Sequence, residues 1–462
     1  MVDFIVDESK VMWAVTSFKP FKSAGPDGIF PALLQQSITF ILPWLILIFR
    51  INHSTSKDYR QISPSSFLLK TLERLVDLHV KGLRTPNNFS CAQHAYLKGR
   101  SVETALHDVV GTIEKTLDMK EYVMASFLDI EGAFNNVNIP SIINALQKNG
   151  ADRMVSDWIE NMLKSRVIVS SLGMSTRRKI VTRGTPQGGV LSPLLWNLVI
   201  NEILMKMEES GIKVVAYADD IVIIIKGKFL PTISDIMESA LYRLLKWAEA
   251  NGLGVNPTKT ELVLFTRRYK IPQFRPPRLA GITLKIAKEA KYLGVILDSK
   301  LSWKRNSENR MQKALCAFYA CKRTFGKRWG LKPNIVHWMY TAVIRPILTY
   351  EALVWWSAVD KKTYLSTLCK VQRTACLAIT GAMRSTPQAS LETMLDLTPL
   401  DVFIKYLSAR SALRLRESGA LKHNRIGHGT ILNRMQGQVL EGTSDYLTLV
   451  MSFDKHFKVK LP

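Results

Sequence analysis

The residues best suited to chemistry are Asp219 and Asp220, two adjacent carboxylates in the run from Val214 to Ile225. Apolar, mostly β-branched stretches flank the polar break Tyr217-Ala218-Asp219-Asp220, which predicts a hairpin of buried strands with both acids at its turn. Two carboxylates in such surroundings repel each other and lose hydration, and a bound cation is one of the few ways to keep both ionised. An ordinary solvated Asp turn would explain the tetrapeptide equally well. A third carboxylate, Asp129, closes the strand predicted over 122–130; alone it also reads as a helix cap. If the three strands are neighbours in one sheet, the acids converge. Hard oxygen donors without His or Cys favour Mg2+ over zinc, and two such ions clamp the attacking and leaving oxygens of a phosphoryl transfer.

The elements that must position these acids follow from periodicity. Val102, Ala105, Leu106, Val109, Val110, Ile113 and Leu117 lie on one face of a helix that starts at Ser101, directly before the Asp129 strand. Ahead of it, apolar Phe67, Leu68, Leu72, Leu75 and Val76 recur at helical spacing. Met154 to Leu163 gives another amphipathic helix, followed by a hairpin over 166–171 and 178–182 joined around Gly173. Arg183-Gly184-Thr185-Pro186-Gln187-Gly188-Gly189 then leads into an apolar helix over 194–207, with Pro193 suited to its first turn. Paired glycines let something bulky lie close to the backbone. A flexible loop would explain them too, but not the Gln beside them. Ile233 to Ala248 is a helix ended by Gly252, and Asn256 to Glu261 leads into the strand 262–266.

Composition points to the partner. Lys and Arg number 63 against 38 Asp and Glu, a formal charge of +25 and a pI near 9.8, which favours a polyanion such as nucleic acid. The five cysteines form no C-x-x-C pair, which argues against a zinc knuckle and suits a reducing compartment. No apolar run is long enough to span a bilayer, so an intracellular protein without a membrane partner is expected. Basic residues from Lys300 to Arg328 interleave with Trp303, Phe318, Tyr319, Phe325 and Trp329; such helices could track a duplex backbone, although aromatics at this spacing also serve as core.

Together these features describe a polymerase site, and the sequence resembles the reverse transcriptase family. Phe127-Leu128-Asp129-Ile130-Glu131-Gly132-Ala133-Phe134 is similar to its first aspartate motif, Arg183 to Pro193 to its Pro-Gln-Gly motif, and Tyr217-Ala218-Asp219-Asp220 to its Tyr-x-Asp-Asp box. Gly252 to Glu261 and Lys291 to Asp298 resemble the two palm motifs that follow, in the same order. Lys22 to Gly28, Asp58 to Ser66, Gln93 to Ser101 and Ala375 to Arg384 resemble segments of insect non-LTR retrotransposons of the jockey and R-element kind.

That resemblance implies an α+β right-hand polymerase fold and an RNA-directed DNA polymerase using two Mg2+ ions, with Mn2+ as a substitute. Asp129, Asp219 and Asp220 would hold the metals, with the Ile130 carbonyl as a further ligand. Arg60 would bind the triphosphate, Phe134 would sit under the sugar, Gln187 and Gly188 would meet the templating pair, and Tyr217 and Ala218 would leave room beside the primer end. Lys259 would protonate the leaving pyrophosphate, unless it is a plain surface lysine. RNA template, DNA primer and dNTPs are the implied partners, within a retroelement ribonucleoprotein of the nucleus and cytoplasm.

The expected organisation is a shortened fingers region over 1–120, a palm over 121–298, a basic helical thumb over 299–332, a helical post-palm region over 333–420 and a weakly structured tail over 421–462. Departures from the family pattern carry their own expectation. Only Ile51 to Lys57 stands where the family has a longer fingers segment, Asn135 replaces a common Asp, and Glu351 replaces a small residue. With no endonuclease ahead of the palm and no zinc finger or RNase H after it, self-sufficient transposition is not expected. The alternative is an impaired retroelement fragment that only binds nucleic acid.

Overall fold

The computed structural model describes residues 67–82, 89–172, 175–323, 332–421 and 426–436, with a few helical positions between 8 and 42. Arg60, the loop 22–28, the segments 51–57 and 58–66 and the Gly173 turn lie outside the described residues.

In chain order, helices α1 (Phe67–Gly82) and α2 (Val102–Asp118) precede strand β1 (Tyr122–Glu131). A single turn α3 (Ala133–Asn136), helices α4 (Ile139–Lys148) and α5 (Arg153–Lys164) and the ribbon β2 (Val167–Leu172) and β3 (Ser175–Ile180) follow. Next come α6 (Ser192–Glu209), the hairpin β4 (Lys213–Tyr217) and β5 (Asp220–Gly227), α7 (Leu230–Ala250), β6 (Gly254–Val255) and β7 (Glu261–Phe265). Short strands β8 (Arg278–Leu279), β9 (Ile282–Thr283) and β10 (Ile286–Ala287) lead to a second hairpin, β11 (Glu289–Tyr292) and β12 (Val295–Asp298). Beyond it are helices α8 (Lys304–Arg323), α9 (Pro333–Met339), α10 (Arg345–Leu348), α11 (Ala352–Trp355), α12 (Lys362–Thr380), α13 (Gln388–Leu395), α14 (Leu400–Glu417) and α15 (Ile431–Gln436).

The main sheet runs β10-β7-β1-β5-β4, with β6 also paired to β1. Strand β1 is its centre, antiparallel to both β5 and β7. Both of its faces are buried, and side chains alternate between two cores, as a period of two requires. Val123, Ala125 and Phe127 enter one core, Tyr122, Met124, Leu128 and Ile130 the other. The first core holds the apolar face of α2 and continues without a break through β11, β12 and the C-terminal helices. The second is filled by α4, α6 and α7. Helix α2 starts where expected because Ser101 and Thr104 form a reciprocal capping box.

Three local expectations are corrected by packing. In α1, Leu72 and Leu75 face solvent while Glu73 is buried, its Oε2 accepting a 2.6 Å bond from the Val190 amide. Satisfying that amide beneath α6 outweighs the apolar period of α1. In the basic segment, Trp303 and Phe318 are core and Tyr319 is exposed, so the aromatics mainly pack rather than form a stacking stripe. Past residue 421, His428–Thr430 and α15 are helical, with His428 and Ile431 buried. Hydrogen bonds from the palm helix, not local pattern, order that stretch.

Candidate active site

The β4–β5 hairpin pairs Tyr217 with Asp220, which leaves Ala218 and Asp219 as a two-residue turn. Ala218 adopts the left-handed region, φ 56°, a conformation that a side chain disfavours. Its carbonyl accepts a 2.9 Å hydrogen bond from Trp196 Nε1 on α6, and this buried contact holds the turn.

Register carries the third acid to the same edge. Asp129 stands directly opposite Asp220 in the β1–β5 ladder, and the Ile130 amide donates to the Asp219 carbonyl at 3.2 Å. Burial, then the charges of Asp219 and Asp129, push the Asp220 carboxyl up to about 6. Lys259 approaches from the loop before β7, with Nζ 3.2 Å from Glu131 Oε1 and 3.7 Å from Asp129 Oδ2. The hydrogen bond and charge of Glu131, then Asp129, push the Lys259 pKa up. Asn256 Nδ2 also donates to Glu131 Oε1, at 3.0 Å, tying this loop to the end of β1.

The acids therefore share one edge without closing on a single point. Among the described residues no three Asp, Glu, His or Cys side chains are gathered into a metal-holding group. Mutual repulsion and the pull of Lys259 on Asp129 oppose closer approach. The donor set still suits a hard divalent cation: three carboxylates, one of them half-desolvated and protonated more readily than usual, form a site short of positive charge.

Beside the acids, Phe134 lies between Tyr96, edge-on with centroids 6.3 Å apart, and Trp196, at 6.0 Å. The Gln187 loop is seated against the same element. Gly184 donates to the Val137 carbonyl at 2.7 Å and Thr185 to the Phe134 carbonyl at 2.6 Å. A Cβ on Gly184, at φ 73°, would lie 2.3 Å from the Asn135 carbonyl oxygen, so this approach requires glycine. Arg166 caps the Arg183 and Gly184 carbonyls. Gln187 is half-buried and Gly188 exposed at the loop tip. Phe134, Gln187, Gly188, Tyr217, Ala218 and the three acids thus fall in neighbouring elements.

Sequence reasoning missed Tyr96 and Trp196. Tyr96, at φ 58°, has its phenol pKa raised by burial and then by Asp219 and Tyr217, so it faces the acidic edge. Its only signal was membership of the run Gln93–Ser101. That run is anchored by Gln93 Nε2 to Asn197 Oδ1 at 2.9 Å and by backbone bonds between Ala92, His94 and Ala216.

The family model for reverse transcriptase (RNA-dependent DNA polymerase) matches residues 51–297, more than half of the chain. The chain belongs to the reverse transcriptase family. Its fold is accordingly the right-hand polymerase fold, with the mixed helix and sheet described above. Relatives include the Pol polyprotein of type-1 retrotransposable element R1 from Bradysia coprophila, 26% identical over 87% of this chain and 42% of the relative. The 115 kDa protein of element R1DM from Drosophila melanogaster is 24% identical over 70% of this chain and 31% of its own length. The RNA-directed DNA polymerase of mobile element jockey from Drosophila melanogaster is 25% identical over 71% and 37%. The reverse transcriptase chain thus spans between about a third and under half of the length of these relatives. Among the described residues of this family member, no helix is long and apolar enough to cross a membrane.

Proposed function

We propose that the chain is an RNA-directed DNA polymerase of a non-LTR retroelement, extending a DNA primer on an RNA template with dNTPs. The observation that carries this reading is the ladder position of Asp129 directly opposite Asp220, with Asp219 one residue before it. Asp129, Asp219 and Asp220 would hold divalent metal, with the Ile130 carbonyl beside them. Bound there, Mg2+ supplies Lewis-acid activation of a primer 3′-hydroxyl and charge neutralisation at the triphosphate.

The chain's own groups do the rest. Phe134, backed by Trp196 and Tyr96, gives the nucleotide sugar an aromatic floor. Gln187 and Gly188, on a loop seated on the Phe134–Val137 backbone, meet the templating pair. Tyr217 and the small Ala218 border the primer end. Lys259 keeps its proton through Glu131 and Asp129, and it gives that proton to pyrophosphate when the developing charge competes for it. Arg60 would contact the triphosphate. The net charge of +25 supplies sequence-independent affinity for template and primer, in keeping with a retroelement ribonucleoprotein.

The test is primer extension on an RNA template with Mg2+. Extension by the chain, abolished in Asp219→Ala while primer–template binding persists, supports the reading. Well-folded protein that binds and never extends is the outcome of a fragment that only binds nucleic acid.

A further inference from the structure

The β11–β12 hairpin turns at Leu293 and Gly294, at φ 44° and 82°. On its palm side Tyr292 packs on Phe127 at 5.7 Å, two residues before Asp129. Its other side is held by groups from two later elements. Arg310 of α8 is only 4% exposed, and one guanidinium nitrogen, Nη2, donates to the Gly294 carbonyl. The same guanidinium stacks on the Tyr350 ring, 4.6 Å from its centroid, and the Tyr350 hydroxyl donates to the Leu293 carbonyl at 3.2 Å. One turn earlier on α8, Asn306 Oδ1 accepts from the Ile296 amide at 3.3 Å. A Cβ on Gly294 would already touch the Tyr350 ring at 3.4 Å.

Burying an arginine is costly, and an apolar side chain would pack α8 against the hairpin without that cost. The arginine and the tyrosine instead aim donors at two consecutive carbonyls of one left-handed turn. Fixing the position of that turn is what this arrangement adds beyond packing. The turn also lies close to the acidic edge: Asp220 and Tyr217 act on the buried Tyr292 phenol, and Tyr217 acts on Tyr350.

We propose that Arg310 and Tyr350 are positioning residues that clamp the Leu293–Gly294 turn beside the catalytic carboxylates, setting where the primer 3′ end rests. This rests on the polymerase reading above. Neither side chain touches the reacting atoms; both act through the turn.

The experiment compares Arg310→Lys, which keeps the charge but loses the planar fork and stack, with Tyr350→Phe, which keeps the ring but loses the hydroxyl. Single-nucleotide incorporation is measured on preformed primer–template with the full chain, at a temperature where melting shows every variant folded. A clamp predicts turnover about tenfold lower in Arg310→Lys, because small misplacements near a reacting end are costly. The dNTP KM and primer–template Kd should stay within about twofold of the parent. Tyr350→Phe should fall in the same direction, and the double variant should lose less than the product of the two, because both donors act on one turn. Unchanged turnover in folded Arg310→Lys, or a loss confined to KM or Kd, overturns the clamp. A fluorescent 2-aminopurine at the primer 3′ end keeps the test independent of synthesis. If the parent binds but never extends, the polymerase reading fails, while a changed terminal signal in Arg310→Lys still supports the clamp and an unchanged one overturns it.

Discussion

His428 Nδ1 lies 2.7 Å from Glu114 Oε2, joining residues 314 positions apart in a site with almost no solvent access. The His428 amide donates to both Glu114 oxygens, and His428 Nε2 is 2.7 Å from His107 Nδ1. Gly427, at φ 84°, is required because a Cβ there would lie 2.1 Å from Glu114 Oε2. The Trp356 indole donates to the His428 carbonyl at 2.9 Å, so the contact also reaches the C-terminal helices. Removing one partner leaves a buried polar group uncompensated. His428→Ala should therefore lower unfolding stability by about 3 kcal/mol. Urea unfolding measures this, and a loss below about 0.5 kcal/mol would mean that the contact is incidental.

Glu351 should be a point of stored strain. It precedes α11 at φ 52°, and its buried Oε2 makes no hydrogen bond among the described residues. Burial, then Glu103, push its carboxyl up to about 7, with Arg310 and Arg414 opposing. The folded chain thus keeps a proton that an unfolded glutamate releases near pH ~4.3. Stability is then lost as pH rises from that value through about 7, by at most about 1.4 kcal/mol per pH unit. Glu351→Gly removes both the carboxyl and the strain, so it should be more stable than the parent at about pH 8, with a smaller advantage at about pH 5. Urea unfolding at the two pH values checks this; an advantage that does not change with pH would assign the titration elsewhere.

Much of the acidic edge was legible because its signals are local. Alternating burial of β-branched residues makes β1 and β5, and acids at the ends of such runs must meet if the strands pair. The ladder puts Asp129 opposite Asp220, as that logic requires. What was not legible depends on distant chain. The Trp196 indole is spoken for by the Ala218 carbonyl, and nothing in an apolar helix distinguishes that ring from its neighbours. Leu72 and Leu75 follow a helical period and yet face solvent, because Glu73 is drawn inward by an amide more than a hundred residues away. Likewise His428 reads as part of a featureless tail until Glu114 is placed beside it.

The Trp196 bond to Ala218 makes a separable prediction about the turn that carries Asp219. Trp196→Phe keeps an aromatic ring next to Phe134 but leaves a buried carbonyl without its donor, at a cost of about 1–3 kcal/mol. With the turn less firmly held, nucleotide incorporation should fall while primer–template affinity is retained, since affinity rests on the basic surface. Parallel unfolding and incorporation assays decide. Reduced stability with full turnover in the folded variant would show that the turn holds its shape without the indole.

Phe134 gives the sharpest chemical prediction. Its ring is held edge-on by Tyr96 and backed by Trp196, so it cannot swing far to admit a larger sugar. A rigid aromatic surface beneath the nucleotide discriminates by bulk: a 2′-hydroxyl would have to occupy space the ring already fills. Phe134→Val shortens the side chain and opens that space, and differences of one or two carbon groups in an apolar pocket change selectivity by about tenfold to a hundredfold. The ratio of ribonucleotide to deoxyribonucleotide incorporation should rise by that order. Deoxynucleotide incorporation should fall much less, and stability by about 1–2 kcal/mol. The comparison needs only competing incorporation on one primer–template. A variant that loses both activities together, with the ratio unchanged, would place the sugar elsewhere and leave Phe134 as packing for Trp196.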